Sequence, residues 1–328
     1  MSSNGHDVEY LSGHDAVAAV EPALTGGDLL AALHSRCSGH VNAAAATKSL
    51  ADSAAALGAA VVVGSTAVSI EKLDAPARSA GNHQYKYRVR TQEGAVHDCK
   101  ALIIAAGAWA RPLGRTLGVD IPVTPVKGQI WSTAEAPPGT LRKVIFAYEK
   151  AETLSRIPSR MRDDTHGIPS DVTHDHTGTR RVRHCYGRQR VDGCVIFGGD
   201  RVTTTADDYT VDKTALQHNA EHVYEFAPRL RPLGLHGEWA GLMPFSKDGR
   251  PMVGELAALG FEQLWVAVGF GSNGVMSGPH AGKLVGEAAV CTLTAGHNQA
   301  GSGLSKRILP HRLAEAVEPC RADGVRRT

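Results

Sequence analysis

Gly269-Phe-Gly271-Ser-Asn-Gly274 is the segment whose residue types and spacing are best suited to chemistry. It follows an apolar run, Leu264-Trp-Val-Ala-Val268, and precedes Val275-Met-Ser-Gly-Pro-His-Ala-Gly-Lys283, so it reads as a strand, a Gly-x-Gly-x-x-Gly turn and a helix. Such a turn aims backbone N–H groups from a helix N-terminus, where the aligned peptide dipoles favour phosphate or another electron-rich group. The same pattern also serves a strand-to-helix turn that needs glycine only for tight packing, and the motif alone does not separate the two. Its position argues against a pyrophosphate loop. It lies near the C-terminus, with no second strand after it and no acidic residue about 20 positions on to hold a ribose.

Other reactive residues are less organised. His166, His174, His176, His184 and Cys185 fall close together in sequence, and His174-x-His176 would share a strand face as metal ligands do. Their setting is polar, without an apolar frame, which reads as a solvated histidine-rich loop, and no metal site is expected. No Gly-x-Ser-x-Gly elbow is present, which disfavours a serine hydrolase. Cys37, Cys99, Cys185, Cys194, Cys291 and Cys320 form no Cys-x-x-Cys pair, as expected of reduced thiols in an intracellular protein.

The elements that must position these residues are legible in outline. The 328 residues are 42% hydrophobic, enough for a large core, and 35 basic against 33 acidic residues give no global field to attract nucleic acid or an anionic membrane. Neither a membrane-spanning apolar run nor a signal or transit peptide is evident, so a cytoplasmic location is expected. An alanine-rich helix is expected over 43–57, with Gly58 as its stop and Ala59-Ala-Val-Val-Val63 as a strand. Tyr85–Arg90 and Val96–Lys100 flank a turn at Gln92-Glu-Gly94 and lead into the apolar run Ala101-Leu-Ile-Ile-Ala-Ala-Gly107.

Prolines 122, 125, 137 and 138 mark a change of character. Strands are expected over 123–133 and 143–148, a polar surface insertion over 149–183, a hairpin from 182–186 and 194–199 across Asp192-Gly193, and a helix over 207–226. Gly237–Met243 reads as a further strand, Lys247-Asp-Gly249 as a turn, and no internal repeat is present.

Four stretches, in order, resemble the FAD-dependent oxidoreductases of the D-amino-acid oxidase, glycine oxidase and sarcosine oxidase type. They are Ser38-Gly-His-Val-Asn42 with the following helix and Gly58-Ala-Ala-Val; Ala101 to Trp109; Pro122-Val-Thr-Pro-Val-Lys-Gly-Gln129; and Glu238-Trp-Ala-Gly-Leu-Met-Pro-Phe-Ser-Lys-Asp-Gly-Arg-Pro-Met-Val-Gly254 followed by Gly269 to Lys283. The resemblance covers roughly residues 7–289 and implies an α/β, two-domain fold. A discontinuous Rossmann-like FAD-binding domain would take 38–118 and 237–300, and an α+β substrate domain with an antiparallel β-sheet would take 1–37 and 119–236. Residues 301–328 would form a tail.

The resemblance departs from the family in one large respect. Family members open with a strand, a Gly-x-Gly-x-x-Gly turn on the FAD pyrophosphate, a helix and a second strand, and this sequence shows no such unit before Val8-Glu-Tyr-Leu-Ser12. It therefore implies an incomplete FAD-binding domain with weakened affinity for FAD. Two expectations follow: a complementing N-terminal fragment as a possible partner, or a truncated, non-catalytic remnant.

By the same resemblance, Gly269, Gly271, Asn273, Gly274, Val275 and Met276 would face the flavin ring. Ala105, Ala106, Gly107 and Trp109 would line the middle of FAD, and Val68 would present backbone to the adenine. The reaction implied is oxidation of the C–N bond of a small amine or amino acid, with hydride passing to flavin and electrons to oxygen. Where glycine-oxidase-like members carry an arginine for the substrate carboxylate, this sequence has Met243. Arg188, Arg190 or Lys127 would then supply charge, each with a surface role as its alternative. No obligatory side-chain acid or base is implied, although Tyr148 and Tyr186 are candidates for a catalytic role, with strand tyrosines packed at a domain face as the alternative.

Overall fold

The structure, a computed structural model, describes residues 7–27, 29–78, 84–147, 172–174, 180–182, 185–295 and 318–319. The chain begins with β1 (Val8–Ser12), α1 (His14–Val20) and β2 (Ala31–Ser35), then α2 (Ala43–Ala56). The strands β3 (Ala67–Arg78), β4 (Gln84–Thr91) and β5 (Val96–Cys99) form an antiparallel meander, followed by β6 (Leu102–Ile104) and α3 (Ala110–Thr116). Next come β7 (Val119–Asp120), β8 (Val123–Glu135), β9 (Ile145–Ala147) and the paired strands β10 (Val172–His174) and β11 (Arg180–Val182). A hairpin of β12 (Cys185–Gln189) and β13 (Cys194–Thr203) leads to α4 (Lys213–Phe226) and β14 (Gly237–Ser246). The last described elements are β15 (Met252–Glu255), β16 (Leu264–Val268), α5 (Gly274–Ala295) and β17 (Glu318–Pro319). The described residues divide into two compact units, and the chain passes between them at Ala46/Thr47, Pro125/Val126 and Leu242/Met243.

The first unit is built on the five-stranded sheet ordered β14-β8-β13-β12-β9. Alternation along β8 buries Trp131 and Thr133 on one face and leaves Ile130 and Ser132 half-buried on the other, the period-two signature of a strand with one covered side. α4 supplies the cover. Asp212 caps it by accepting the N–H of Ala215 at 3.0 Å, and Leu216, Ala220 and Val223 turn inward at helical spacing. Trp131 stacks on Phe197 with ring centroids 5.6 Å apart and donates its indole N–H to Asn219 at 2.9 Å, so the one polar atom of this large side chain is satisfied. A buried carboxylate ties the loops to this core: Glu21 accepts the N–H groups of Arg142 and Lys143 at 2.7 Å each and of Ala23 at 3.1 Å.

The second unit holds the mixed sheet β15-β16-β6 and the meander β3-β4-β5. β16 and β6 run parallel, Leu264 opposite Leu102 and Val266 opposite Ile104, while β15 is antiparallel to β16. Ile70, Tyr87, Ile104, Leu264, Val266 and Val268 close one core, and Trp265 packs with Val285, Ala288 and Ala289 of α5 on the opposite side. β16 is thus covered on both faces, which explains its unbroken apolar sequence.

One expectation on this unit needs correction. Ala59–Val63 is not a strand: these residues are coil and Val63 is 87% exposed. β-Propensity alone does not hold a strand, and no neighbouring strand offers it a ladder among the described residues. Helix α2 forms over nearly the expected span but contributes no buried residue to either unit, so its apolar side chains face outward. Among the described residues no helix is long and apolar enough to cross a membrane.

Candidate functional site

The expected cofactor residues converge through topology. β6 and β16 are parallel neighbours, so their C-terminal ends lie at the same edge of the sheet, and each is followed by a glycine in the left-handed region. Crevices at such strand ends are where ligands of open parallel sheets bind. After β6 the chain turns at Gly107, with φ +52°, through a single 3-10 turn, Gly107–Trp109, into α3. A side chain at Gly107 would meet nothing within 4 Å, so glycine here leaves open space over the backbone. Ala105 and Trp109 are exposed and Ala106 is half-buried.

After β16, Gly269 has φ +77° and Gly271 φ +54°. A Cβ on Gly269 would lie 3.1 Å from the Cβ of Ser246, and one on Gly271 would lie 3.1 Å from the ring of Phe245. These two glycines therefore serve packing as well as backbone conformation. The 3-10 turn Gly271–Asn273 runs directly into the 22-residue helix α5. Among the described residues no side chain caps the N–H groups of Gly274, Val275 or Met276, and Met276 is 75% exposed. Apolar side chains held in solvent beside an uncapped N-terminus fit a planar, electron-accepting ring with carbonyl groups better than a freely hydrated phosphate. Val68, near the start of β3, is also exposed.

The same unit contains a cavity of about 370 Å³ against the meander, lined by Lys72, Lys86, Tyr87 and Glu262 among others. Its polar groups are already engaged: Lys72 donates to the carbonyl of Gly260, Lys86 pairs with Glu262 at 2.9 Å, and the Tyr87 hydroxyl donates to the carbonyl of Glu262 at 2.7 Å. It makes a weak site.

The substrate candidates lie on the sheet of the first unit. Gly187 faces the core, since a Cβ there would strike the ring of Phe197 at 2.3 Å, so Tyr186 and Arg188 project from the opposite face. Burial raises the pKa of Tyr186 and lowers that of Arg188, the latter with help from neighbouring Arg190. Lys127 does not supply a free charge: its ammonium is buried and bonded to Asp208 at 2.8 Å and to Thr210. Arg190 pairs with Asp192 at 2.7 Å beside the hairpin turn. Met243 is half-buried on β14. Tyr148, His166, His176 and His184 lie outside the described residues, as does the side chain of His174. Cys185 is buried, its thiol pushed up to about 12, and no metal-binding cluster occurs among the described residues.

Sequence reasoning missed Arg201. Its Nε is buried without a hydrogen-bond partner, on the face that carries Tyr186 and Arg188. The pair Gly198-Gly199 was the available signal, because paired glycines in a strand mark a bulge, and the bulge between Gly198 and Arg201 resets which residues face outward.

With this geometry established, comparison with known proteins is decisive at the family level. Residues 1–288 match the family model described as "DAO: FAD dependent oxidoreductase". The chain belongs to this family of FAD-dependent oxidoreductases. It is 29% identical to glycine oxidase of Pseudomonas putida over 195 residues, 58% of this chain and 41% of the relative. It is 26% identical to glycine oxidase of Geobacillus kaustophilus over 283 residues, 86% of this chain and 62% of the relative. The crystal structure of the Geobacillus kaustophilus enzyme matches with a TM-score of 0.66 and 22% identity, over 88% of this chain and 64% of that one, which establishes the fold. The chain spans from about two-fifths to about three-fifths of the length of these curated relatives.

Proposed function

We propose that this protein binds FAD at the C-terminal ends of β6 and β16 and oxidises the C–N bond of a small amine or amino acid, with oxygen as the final electron acceptor. The observation that carries the reading is the pair of adjacent parallel strand ends, each opening through a left-handed glycine, beside the uncapped N-terminus of α5. FAD supplies an acceptor for hydride from the carbon bonded to nitrogen. The chain's own residues position and polarise. Gly269 and Gly271 let backbone approach the ring, and the N–H groups from Gly274 to Met276, after Asn273 whose own N–H is held by the Phe270 carbonyl, stabilise negative charge that develops at its pyrimidine edge. Ala105, Ala106, Gly107 and Trp109 line the central part of the cofactor, and Val68 presents backbone to the adenine. In this reading residues 38–118 and 237–300 serve FAD, and residues 1–37 and 119–236 serve the substrate. Glycine oxidase among the relatives supports an amino-acid substrate, although Met243 requires the carboxylate to find its partner elsewhere.

One observation supports a second reading, in which the chain alone is not catalytic and needs a complementing fragment. Helix α2 buries nothing, Val61, Val62 and Val63 are exposed, and β6 is the outer strand of its sheet. Such an apolar surface is one that a further polypeptide segment would cover. Titration of the purified chain with FAD, followed by a screen of amines and amino acids for peroxide release, separates the two. Stoichiometric flavin with peroxide supports catalysis by this chain. Failure to retain flavin, with flavin binding restored by a fragment supplied in trans, supports the second reading.

A further inference from the structure

The outward face of the five-stranded sheet carries two guanidinium groups, of which Arg188 is offset only in part by the nearby carboxylate of Asp192 and Arg201 has a buried Nε with no hydrogen-bond partner among the described residues. Register fixes which side chains share this face: Tyr186 lies opposite Gly198, Arg188 opposite Ile196, and Arg201 opposite Gly128. Ile196 in turn is opposite Ser132, and Gly198 opposite Ile130. Arg188 and Arg201 therefore bracket Tyr186, separated along β8 by the four positions between Gly128 and Ser132, or about 13 Å of strand.

The floor between them is the Tyr186 ring, seated on a glycine. A Cβ on Gly198 would lie 2.9 Å from Ile130 and 3.1 Å from the Tyr186 hydroxyl, so the tyrosine ring lies across that glycine, and Gly128 likewise leaves the position beside Arg201 without a side chain.

Neither arginine makes a hydrogen bond or ion pair among the described residues, whereas Arg190, two positions from Arg188, is paired with Asp192. Keeping the Nε of Arg201 out of water without a partner is unfavourable, and so is the partial burial of Arg188, unless an anion completes each. Guanidinium groups are suited to carboxylates because their forked N–H groups match both oxygens.

We propose that this face is an acceptor site for a small molecule with two acidic groups, one bound by Arg188 and the other by Arg201, across the Tyr186 ring that covers Gly198. The inference rests on the amine-oxidising reading for its consequence, that the substrate is an amine bearing two carboxylates, but the binding itself is independent of FAD. Two cations about 13 Å apart at their strand positions, each on a flexible arm reaching inward, suit a five-carbon diacid with three methylenes between its carboxylates. They also explain how a carboxylate is held in a chain with methionine at position 243.

The test is isothermal titration of the full chain with glutarate, with butyrate as the single-acid control and 1,5-diaminopentane as the cationic control. Glutarate is expected to bind at least tenfold more tightly than butyrate, and the diamine not at all. Arg201→Met and Arg188→Met should each reduce glutarate binding to the level of butyrate, with the Tm of each variant confirming a folded chain. Arg201→Lys, which keeps charge without the fork, should retain only part of the preference. Equal binding of glutarate and butyrate by the unaltered chain, or glutarate binding that survives Arg201→Met, overturns the proposal. The absorption spectrum of the same sample separates the two claims: glutarate preference in a chain that cannot bind FAD keeps this site and removes the oxidase reading. Flavin binding without glutarate preference does the reverse.

Discussion

Replacing Gly271 with alanine tests whether the glycine turn after β16 is fixed by backbone conformation and contact. At φ +54° an L-residue brings its Cβ toward the following carbonyl, which costs about 1–2 kcal/mol. The new methyl would also sit 3.1 to 3.3 Å from three atoms of the Phe245 ring. That ring is buried, and Phe245 is bridged to Phe270, so moving it disturbs the same turn. Adding roughly 1 kcal/mol for this overpacking gives about 2–3 kcal/mol in total. At roughly 2–4 °C per kcal/mol for a chain of this size class, Tm should fall by about 4–12 °C. The control is Gly282→Ala, eleven positions on, exposed in mid-helix with nothing within 4 Å of the added Cβ. It should gain about 0.5–1 kcal/mol because alanine restricts the unfolded chain and favours helix. If the turn relaxes in the absence of cofactor, FAD must restore it, and affinity falls about tenfold for each 1.4 kcal/mol. Differential scanning fluorimetry with and without FAD reads both effects. A Gly271→Ala variant as stable as the parent, or two alanine variants of the same sign, would refute the reasoning.

Three further outcomes follow from the packing and electrostatics of the first unit. Gly187→Ala places a methyl 2.3 to 2.5 Å from the Phe197 ring, which is locked against Trp131, and should cost about 1–3 kcal/mol in urea unfolding, with the loss relieved by Phe197→Leu in the double variant. Glu21→Ala strands the buried N–H groups of Ala23, Arg142 and Lys143 and should cost about 3 kcal/mol or more, while Glu21→Gln, which keeps one acceptor oxygen, should cost less. Lys127, Thr204 and Thr210 hold the Asp208 carboxyl below its usual value near 3.8, so its folded form resists protonation more than the unfolded form. The resulting stability is fully present at neutral pH and is lost as pH falls through the usual carboxylate value toward the lower folded one. The Tm gap between the parent and Asp208→Asn should therefore be largest near neutrality and shrink in acid. A gap that widened in acid would contradict this sign.

What the sequence disclosed depended on whether the cause was local. The apolar run of β16 and the alternation in β8 are written in consecutive residues, and both strands form where expected. Turn glycines are legible for the same reason: Gly94, Gly193 and Gly249 each adopt positive φ between the strands they were expected to connect. Ala59–Val63 has the composition of a strand, but a ladder requires a partner that composition does not reveal. Lys127 stood between a charge for substrate and a solvated or salt-bridged surface residue because its partner Asp208 is 81 residues away, and Glu21 gave no hint of anchoring a loop more than 120 residues on. Arg201 was hidden by a bulge that shifts its face. In the candidate cofactor site, Gly269, Gly271 and Gly274 were singled out by their spacing, and Gly107 and the remaining residues by family resemblance. The face proposed for a diacid needed the cross-strand register.

The most direct test of the central claim is the visible absorption spectrum of the purified full chain after incubation with FAD and removal of unbound cofactor. The account predicts the two bands of an oxidised flavin at one equivalent per chain, with their intensity lost in Gly271→Ala before the fold is lost. A colourless protein with an intact thermal transition would contradict it.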